Sequence, residues 1–141
     1  MNPCWKSYQH VLLALVIWRE ARGEGPLCMT AVACSIRNRV RRPGWWGKDY
    51  VSVITKKWQY SSMAAPGDPQ LIIYPQIGDA AFDKALEIAD QVINGVVKNP
   101  VPGADSFYDD SISPPRWATK DTFVAKIGRM NFHNLDKDIE S

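Results

Sequence analysis

The residues best equipped for chemistry lie in one stretch, Ile17-Trp18-Arg19-Glu20-Ala21-Arg22-Gly23-Glu24-Gly25-Pro26. Glu20 follows Val11–Trp18, eight apolar residues in a row. Such a run cannot be amphipathic, so as a helix it is buried on nearly all sides. Gly23 suits the left-handed residue that closes a helix, and Pro26 suits the first position of the next one. Glu20 then falls in the last turn of a buried helix. Apolar surroundings and the negative end of the helix dipole both disfavour its charged form there. A carboxylic acid kept protonated near neutral pH is what general acid catalysis on a glycosidic oxygen requires. The plainer reading is a solvated glutamate, or a partner for Arg19 or Arg22.

Other polar residues join this acid as candidates. Glu24 would share a helix face with Glu20 if the helix continued, but Gly23 is expected to end it first. Glu24 is therefore read as a supporting site residue, or equally as the partner of an arginine or a cap on the second helix. Asp68, Asp105, Asp109 and Asp110 stand as further carboxylates, with no positional argument to choose among them. Sugars stack on aromatic rings and present hydroxyls to amides and phenols. Gln59, Tyr60, Tyr108 and Trp117 suit such substrate contacts, whereas Phe107 and Phe132 read as core. Trp45 and Trp46 sit in a glycine-flanked loop: exposed they would form an envelope-binding lip, buried a hydrophobic plug.

The elements that must position these residues follow from period and punctuation. A first helix is predicted from about Ser7 to Arg22. A second runs from Leu27 to about Arg42, where Pro43-Gly44 stops it. Ala31, Ala33, Cys34 and Ser35 make its surface small enough for a close neighbour, and Val32, Ile36 and Val40 mark an apolar face. A short helix near Asp49–Lys56 begins at an aspartate cap, and Pro66-Gly67-Asp68-Pro69 marks a turn. Ile77–Val97 reads as a third long helix with Ala81, Ala85, Ile88, Ala89 and Val92 on one face. Beyond Asn99-Pro100-Val101-Pro102-Gly103 the pattern turns β-prone at Ser106–Tyr108, Thr122–Ile127 and Asn131–His133, with Gly128 as a turn. The fold class is α+β, mainly α, with a small antiparallel sheet beside a helical core.

Composition narrows the function classes. With 141 residues and 45% hydrophobic content, the chain reads as one domain, residues 1–141, able to bury a core without staples. A net charge of +2 does not announce a nucleic-acid binder. The basic run Arg37–Lys48, with its two tryptophans, leaves a nucleic-acid or anionic-surface module as a rival reading. Cys4, Cys28 and Cys34 make no even disulfide framework, and Cys28 and Cys34 read as buried thiols. His10 and His133 lack metal-ligand spacing, so neither metal nor cofactor is expected. Eight apolar residues are far short of the roughly twenty that span a bilayer, so no stable membrane insertion is expected. The run is followed by Arg-Glu-Ala-Arg rather than by a small-residue cleavage site, and no signal peptide is read there.

Several segments together resemble a known family. Glu20-Ala21-Arg22-Gly23-Glu24, followed by the small-residue helix Ala31–Val40, resembles the opening signature of the SleB-type cell-wall hydrolases, which include spore-cortex-lytic enzymes and phage relatives. Trp58-Gln59-Tyr60-Ser61 resembles the family's Q-F-S segment, and Gly103-Ala104-Asp105-Ser106-Phe107-Tyr108 its G-A-T-H-F-Y strand. Pro115-Arg116-Trp117-Ala118 resembles P-x-W-A, and Ile127-Gly128-Arg129-Met130-Asn131-Phe132 resembles I-G-x-H-x-F. The resemblance runs in order over about residues 10–134. Ser106 and Met130 replace family histidines, and His133 stands where tyrosine is common, so the roles of those histidines do not carry over.

The resemblance implies a lysozyme-like or lytic-transglycosylase-like fold acting on the glycan strands of peptidoglycan, with Glu20 as the acid. Glu20 would protonate the oxygen between N-acetylmuramic acid and N-acetylglucosamine. Water, or the muramyl C6 hydroxyl, then quenches the oxocarbenium-like centre. In the second route one carboxylate serves as acid and base, whereas ordinary glycosidases use a pair about 5 or 6.5–9.5 Å apart. A monomer is favoured, made in a host cytoplasm and acting on the wall after release, as phage endolysins are. A wall-binding relative without turnover is the alternative within the same resemblance.

Overall fold

The apolar run of the first helix becomes the centre of the structure. A computed structural model describes residues 3–57 and 59–136, with side chains of the first helix from residue 8 onward. Trp58 and the side chain of Cys4 lie outside the described residues. Helix α1 spans Pro3–Ala21. Leu13, Ala14, Val16, Ile17 and Trp18 are buried, while Val11 at the start of the run is exposed. Around α1 pack α2 (Pro26–Val40), the short α3 (Tyr50–Ile54) and α4 (Ser61–Ala64), and α5 (Ala80–Ile93). Among the described residues, no helix is long and apolar enough to cross a membrane.

The α1–α2 joint departs from expectation in one respect. Helix α1 ends at Ala21, and the left-handed region falls on Gly25 (φ 89°), not on Gly23. Pro26 takes the opening position of α2 as expected, and a proline excludes helical backbone at the residue before it. Gly25, with φ 89° and ψ 171°, meets that restriction in a conformation open only to glycine. Helix α2 is buried without a break from Ala31 to Arg39, with Cys28 and Met29 buried ahead of half-buried Thr30, and Ala31, Ala33, Cys34 and Ser35 let its neighbours approach. Cys28 and Cys34 are free, buried thiols. The helix stops at Val40, two residues short of Arg42.

Helix α3 starts where its aspartate predicts. Asp49 accepts from the Ser52 backbone N–H, and the Ser52 hydroxyl reciprocates to the Asp49 backbone. Helix α5 is shorter than the apolar pattern suggests, because Ile77 is fully exposed and only extends the period by coincidence. Its true start is Asp79, whose carboxylate accepts from the Phe82 backbone N–H at 3.0 Å, and Gly95 (φ 71°) follows its end. Ala85, Ile88, Ala89 and Val92 form its buried face. Removing this cap with Asp79→Ala should cost about 1 kcal/mol, read as a lower denaturation midpoint at unchanged slope.

The sheet is antiparallel in the order β1 (Ser106–Asp109), β3 (Met130–His133), β2 (Phe123–Ile127). The central strand β3 is buried throughout. Ile127 pairs with Met130, leaving a two-residue turn in which Gly128 supplies the positive φ of 58°. Phe107 pairs with Phe132, placing ring against ring at 5.9 Å on the core side. Between α3 and α5 runs a strap containing α4 and a 3-10 turn at Pro69–Ile72. Pro66-Gly67-Asp68-Pro69 predicts only a turn in this segment.

Candidate active site

Glu20 lies in the last turn of α1, half-buried at the floor of a cleft of about 540 Å³. Neither Arg19 nor Arg22 pairs with it. The Arg22 guanidinium lies over the Trp18 ring and donates to the Trp18 and Arg19 carbonyls and to Gln70. Glu20 instead accepts a hydrogen bond from Ser62 Oγ at 2.7 Å, through Oε1. Burial pushes the Glu20 carboxyl above the ordinary carboxylate range; the Ser62 hydrogen bond opposes this, and the charges of Asp68 and Asp109 add to it. The predicted preference for the protonated form therefore has burial as its main cause.

The cleft walls come from three directions. Gln59, Tyr60 and Ser61 enter from the strap, Ser106–Asp109 from β1, and Trp45, Trp46 and Trp117 from loops. Tyr108 and Trp117 meet edge to face at 6.0 Å. Behind them His133 stacks on Tyr108 at 5.8 Å and takes a T-shaped contact with Trp117 at 5.5 Å. His133 Nδ1 is 2.9 Å from Thr122 Oγ1, so this histidine props the aromatic wall from within. Burial lowers its proton affinity. Trp45 and Trp46 differ in setting: Trp45 is exposed at the cleft rim, while Trp46 is buried and donates to Asp136 at 2.8 Å.

The predicted contact residues are brought together unequally. Gln59, Tyr60, Tyr108 and Trp117 all line the cleft with Glu20. Tyr60 lines it with its ring alone, because its hydroxyl is buried without a hydrogen-bond partner among the described residues. Burial pushes that phenol up to about 12. Glu24 is not on the main cleft. Its Oε1 accepts from the Arg129 backbone N–H at 2.9 Å, tying the α1–α2 loop to the β2–β3 turn. It borders a smaller polar pocket of about 300 Å³ that Glu20, Arg22, Asp109 and Arg129 also line. Neither of the roles read as alternatives for Glu24, arginine partner or helix cap, is the one it takes.

The four open carboxylates separate cleanly. Asp68 accepts from the Gln70 backbone at the start of the 3-10 turn. Asp105 is fully buried and occupied by the C-terminal segment. Asp110 is exposed and paired with Lys126 at 2.7 Å. Asp109 alone of the four lines the cleft, with one oxygen accepting from the Ser111 backbone at 2.6 Å. Three site residues escaped the sequence reading. Ser62 sits in a polar stretch without period. Arg39 looked like one more basic residue at a helix end. It is buried, donating to the Asp105 carbonyl at 2.6 Å beneath the rings of Trp46 (3.9 Å) and Tyr60 (4.8 Å). Arg19, beside Glu20 in sequence, reads as its ion-pair partner, yet it donates to the Ser62 and Ile73 carbonyls. Ser106 and Met130, the positions that depart from the family histidines, both line the cleft, and Met130 makes that part of its wall apolar.

Two solved structures share this architecture. The catalytic domain of the germination-specific lytic transglycosylase SleB from Bacillus anthracis superposes with a TM-score of 0.72 at 22% identity, covering 95% of this chain and all of that one. The catalytic domain of the Bacillus cereus SleB protein gives 0.71 at 23% identity, covering 91% of each. At such identities the likeness speaks for the fold. No curated protein matches the sequence. The family model described as Cell Wall Hydrolase, however, matches residues 23–133, beginning just past Glu20 and ending on β3. Gly23-Glu24, the cleft walls from Trp45 to Trp117 and the three-stranded sheet fall inside that match, and the chain belongs to the cell wall hydrolase family.

Proposed function

We propose that this protein cleaves the glycan strands of peptidoglycan between N-acetylmuramic acid and N-acetylglucosamine, as a lytic transglycosylase with Glu20 as its acid. The observation that carries the reading is a half-buried carboxyl of raised proton affinity at the floor of a cleft walled by Trp45, Tyr108 and Trp117. Such rings stack on sugar faces, and the cleft volume lies in the range of ligand sites. Glu20 protonates the bridging oxygen, and its conjugate base then takes the proton of the muramyl C6 hydroxyl as that oxygen attacks C1. The product ends in a 1,6-anhydro ring. The fold shared with a lytic transglycosylase supports this route. So does the engagement of Asp68, Asp105 and Asp110 in bonds that hold the fold.

Asp109 favours a second reading, hydrolysis, because among the described residues it is the one other carboxylate on the cleft. Mass spectrometry of soluble products from purified peptidoglycan separates the two. Anhydro-muramyl ends are expected, and they should persist in Asp109→Asn. Reducing ends from the wild type, lost in Asp109→Asn, would replace the transglycosylase by a hydrolase. The same proposal places the enzyme's work at the wall, after release from a host cytoplasm in the manner of an endolysin.

A further inference from the structure

We infer that Arg19 is a positioning residue, a clamp that holds the 61–74 strap against α1 so that Ser62 Oγ fixes the orientation of the Glu20 carboxyl. The inference rests on Glu20 being the acid. The starting observation is a charged side chain only 8% exposed whose hydrogen bonds run to backbone carbonyls rather than to a carboxylate. Nη1 donates to the Ser62 carbonyl at 2.8 Å and toward Met63 Sδ at 3.4 Å. Nε and Nη2 donate to the Ile73 carbonyl at 3.2 and 3.1 Å, and Nη2 reaches the Leu71 carbonyl at 3.4 Å. The Tyr74 ring covers the guanidinium at 5.0 Å. One planar fork thus fastens both ends of the strap, which a point-like ammonium cannot do.

The strap needs such a fastening because apolar burial supplies little of one: Met63 packs only partly buried against the core. The strap's 3-10 turn buries no residue, and Ile72 and Tyr74 are 83% and 61% exposed. Ser62, by contrast, is buried and held twice by adjacent residues of α1. Arg19 takes its carbonyl and Glu20 its hydroxyl. A hydroxyl that donates to Oε1 makes Oε1 the acceptor oxygen of the acid. The transferable proton is then left on Oε2. The same strap brings up Asp68, while Asp109 faces Glu20 from β1 and Arg22, Glu24 and Arg129 border the pocket beside it. Displacing the strap therefore disturbs the acid's orientation and its charge environment together.

The test is a double-mutant cycle on soluble peptidoglycan fragments, assayed well below each variant's melting temperature. Arg19→Lys and Ser62→Ala are each expected to lower kcat by roughly 10- to 100-fold with KM within about twofold, as misplacement of a reacting group does. The double variant should lose little beyond either single one. In Ser62→Ala the basic limb of the kcat–pH profile should move to higher pH, since a bond favouring the carboxylate is gone. If Arg19→Lys does not fold, Tyr74→Ala on the exposed strap carries the same test, with a smaller loss of kcat that vanishes in the Ser62→Ala background. Unchanged kcat in the Arg19 variant, or an equal loss with and without Ser62, would reduce Arg19 to a structural staple. Activity in a parallel Glu20→Gln control would instead overturn the acid itself.

Discussion

Glu20→Gln is expected to lower wall lysis by roughly 10²–10⁴-fold, the range for loss of a general acid, while raising the melting temperature at neutral pH. Both outcomes have one cause. Burial favours the neutral carboxyl, and Asp68 and Asp109 reinforce it, so the folded protein holds this proton more tightly than the unfolded chain. Between the ordinary carboxylate value of 4.5 and the raised value in the fold, the native state binds the extra proton. Stability is then full below the unfolded value and declines as pH rises through the folded one. Glutamine keeps the shape and an oxygen for Ser62 but has no charge to bury, so it escapes that decline. Calorimetry at pH 4 and pH 8 should find the variant and wild type close at the lower pH and the variant ahead at the higher. Activity of the wild type should fall on its basic limb over the same pH interval. A variant that loses lysis without any gain in stability at pH 8 would mean that Glu20 is ionised at little cost, and the general-acid argument would lose its physical basis.

Glu20 was legible because its cause is local. Eight apolar residues, a helix end and a glycine-rich joint argue for a carboxyl drawn out of water, against the plainer reading of a solvated or arginine-paired glutamate. The same holds for the Asp49 cap and for the β2–β3 turn at Gly128, each set by residues within a few positions. Helix α5 shows the limit of periodicity, since exposed Ile77 continues the apolar repeat of a helix that begins only after Asp79. The strap marks a different limit. It has no apolar period because it buries almost nothing, and it is placed by an arginine 43 residues before Ser62. Arg39 and Asp105 are likewise defined by partners far along the chain: Arg39 donates to the backbone of Asp105, 66 residues on. The sequence presents these as a solvated basic run and an open carboxylate. Long-range polar contacts leave no repeat to read.

Asp105 carries the other large effect, on stability. It is fully buried, with Oδ1 accepting from Ser106 Oγ and the Leu135 backbone N–H, both at 3.0 Å, and Oδ2 accepting from the Asp136 backbone N–H at 3.0 Å. Arg42 Nη2 lies 3.7 Å away as its charge partner. These bonds seat Leu135 on the cleft and bring Asp136 under Trp46, so one carboxylate closes the C-terminal segment over the tryptophan plug. Asp105→Ala strands two backbone donors and one half of an ion pair. Breaking a buried pair from one side costs about 3–5 kcal/mol, a large share of the 5–15 kcal/mol or so that holds a typical domain together. Asp105→Asn, which keeps one acceptor and turns an amide toward the remaining N–H donors, should fall between wild type and alanine. Denaturant titration orders the three. If Asp105 were the second catalytic carboxylate, alanine would instead abolish turnover with the midpoint unmoved. The geometry favours the opposite ranking, because Asp105 is fully buried, does not line the cleft, and spends the described bonds of its carboxyl on Ser106, the C-terminal segment and Arg42.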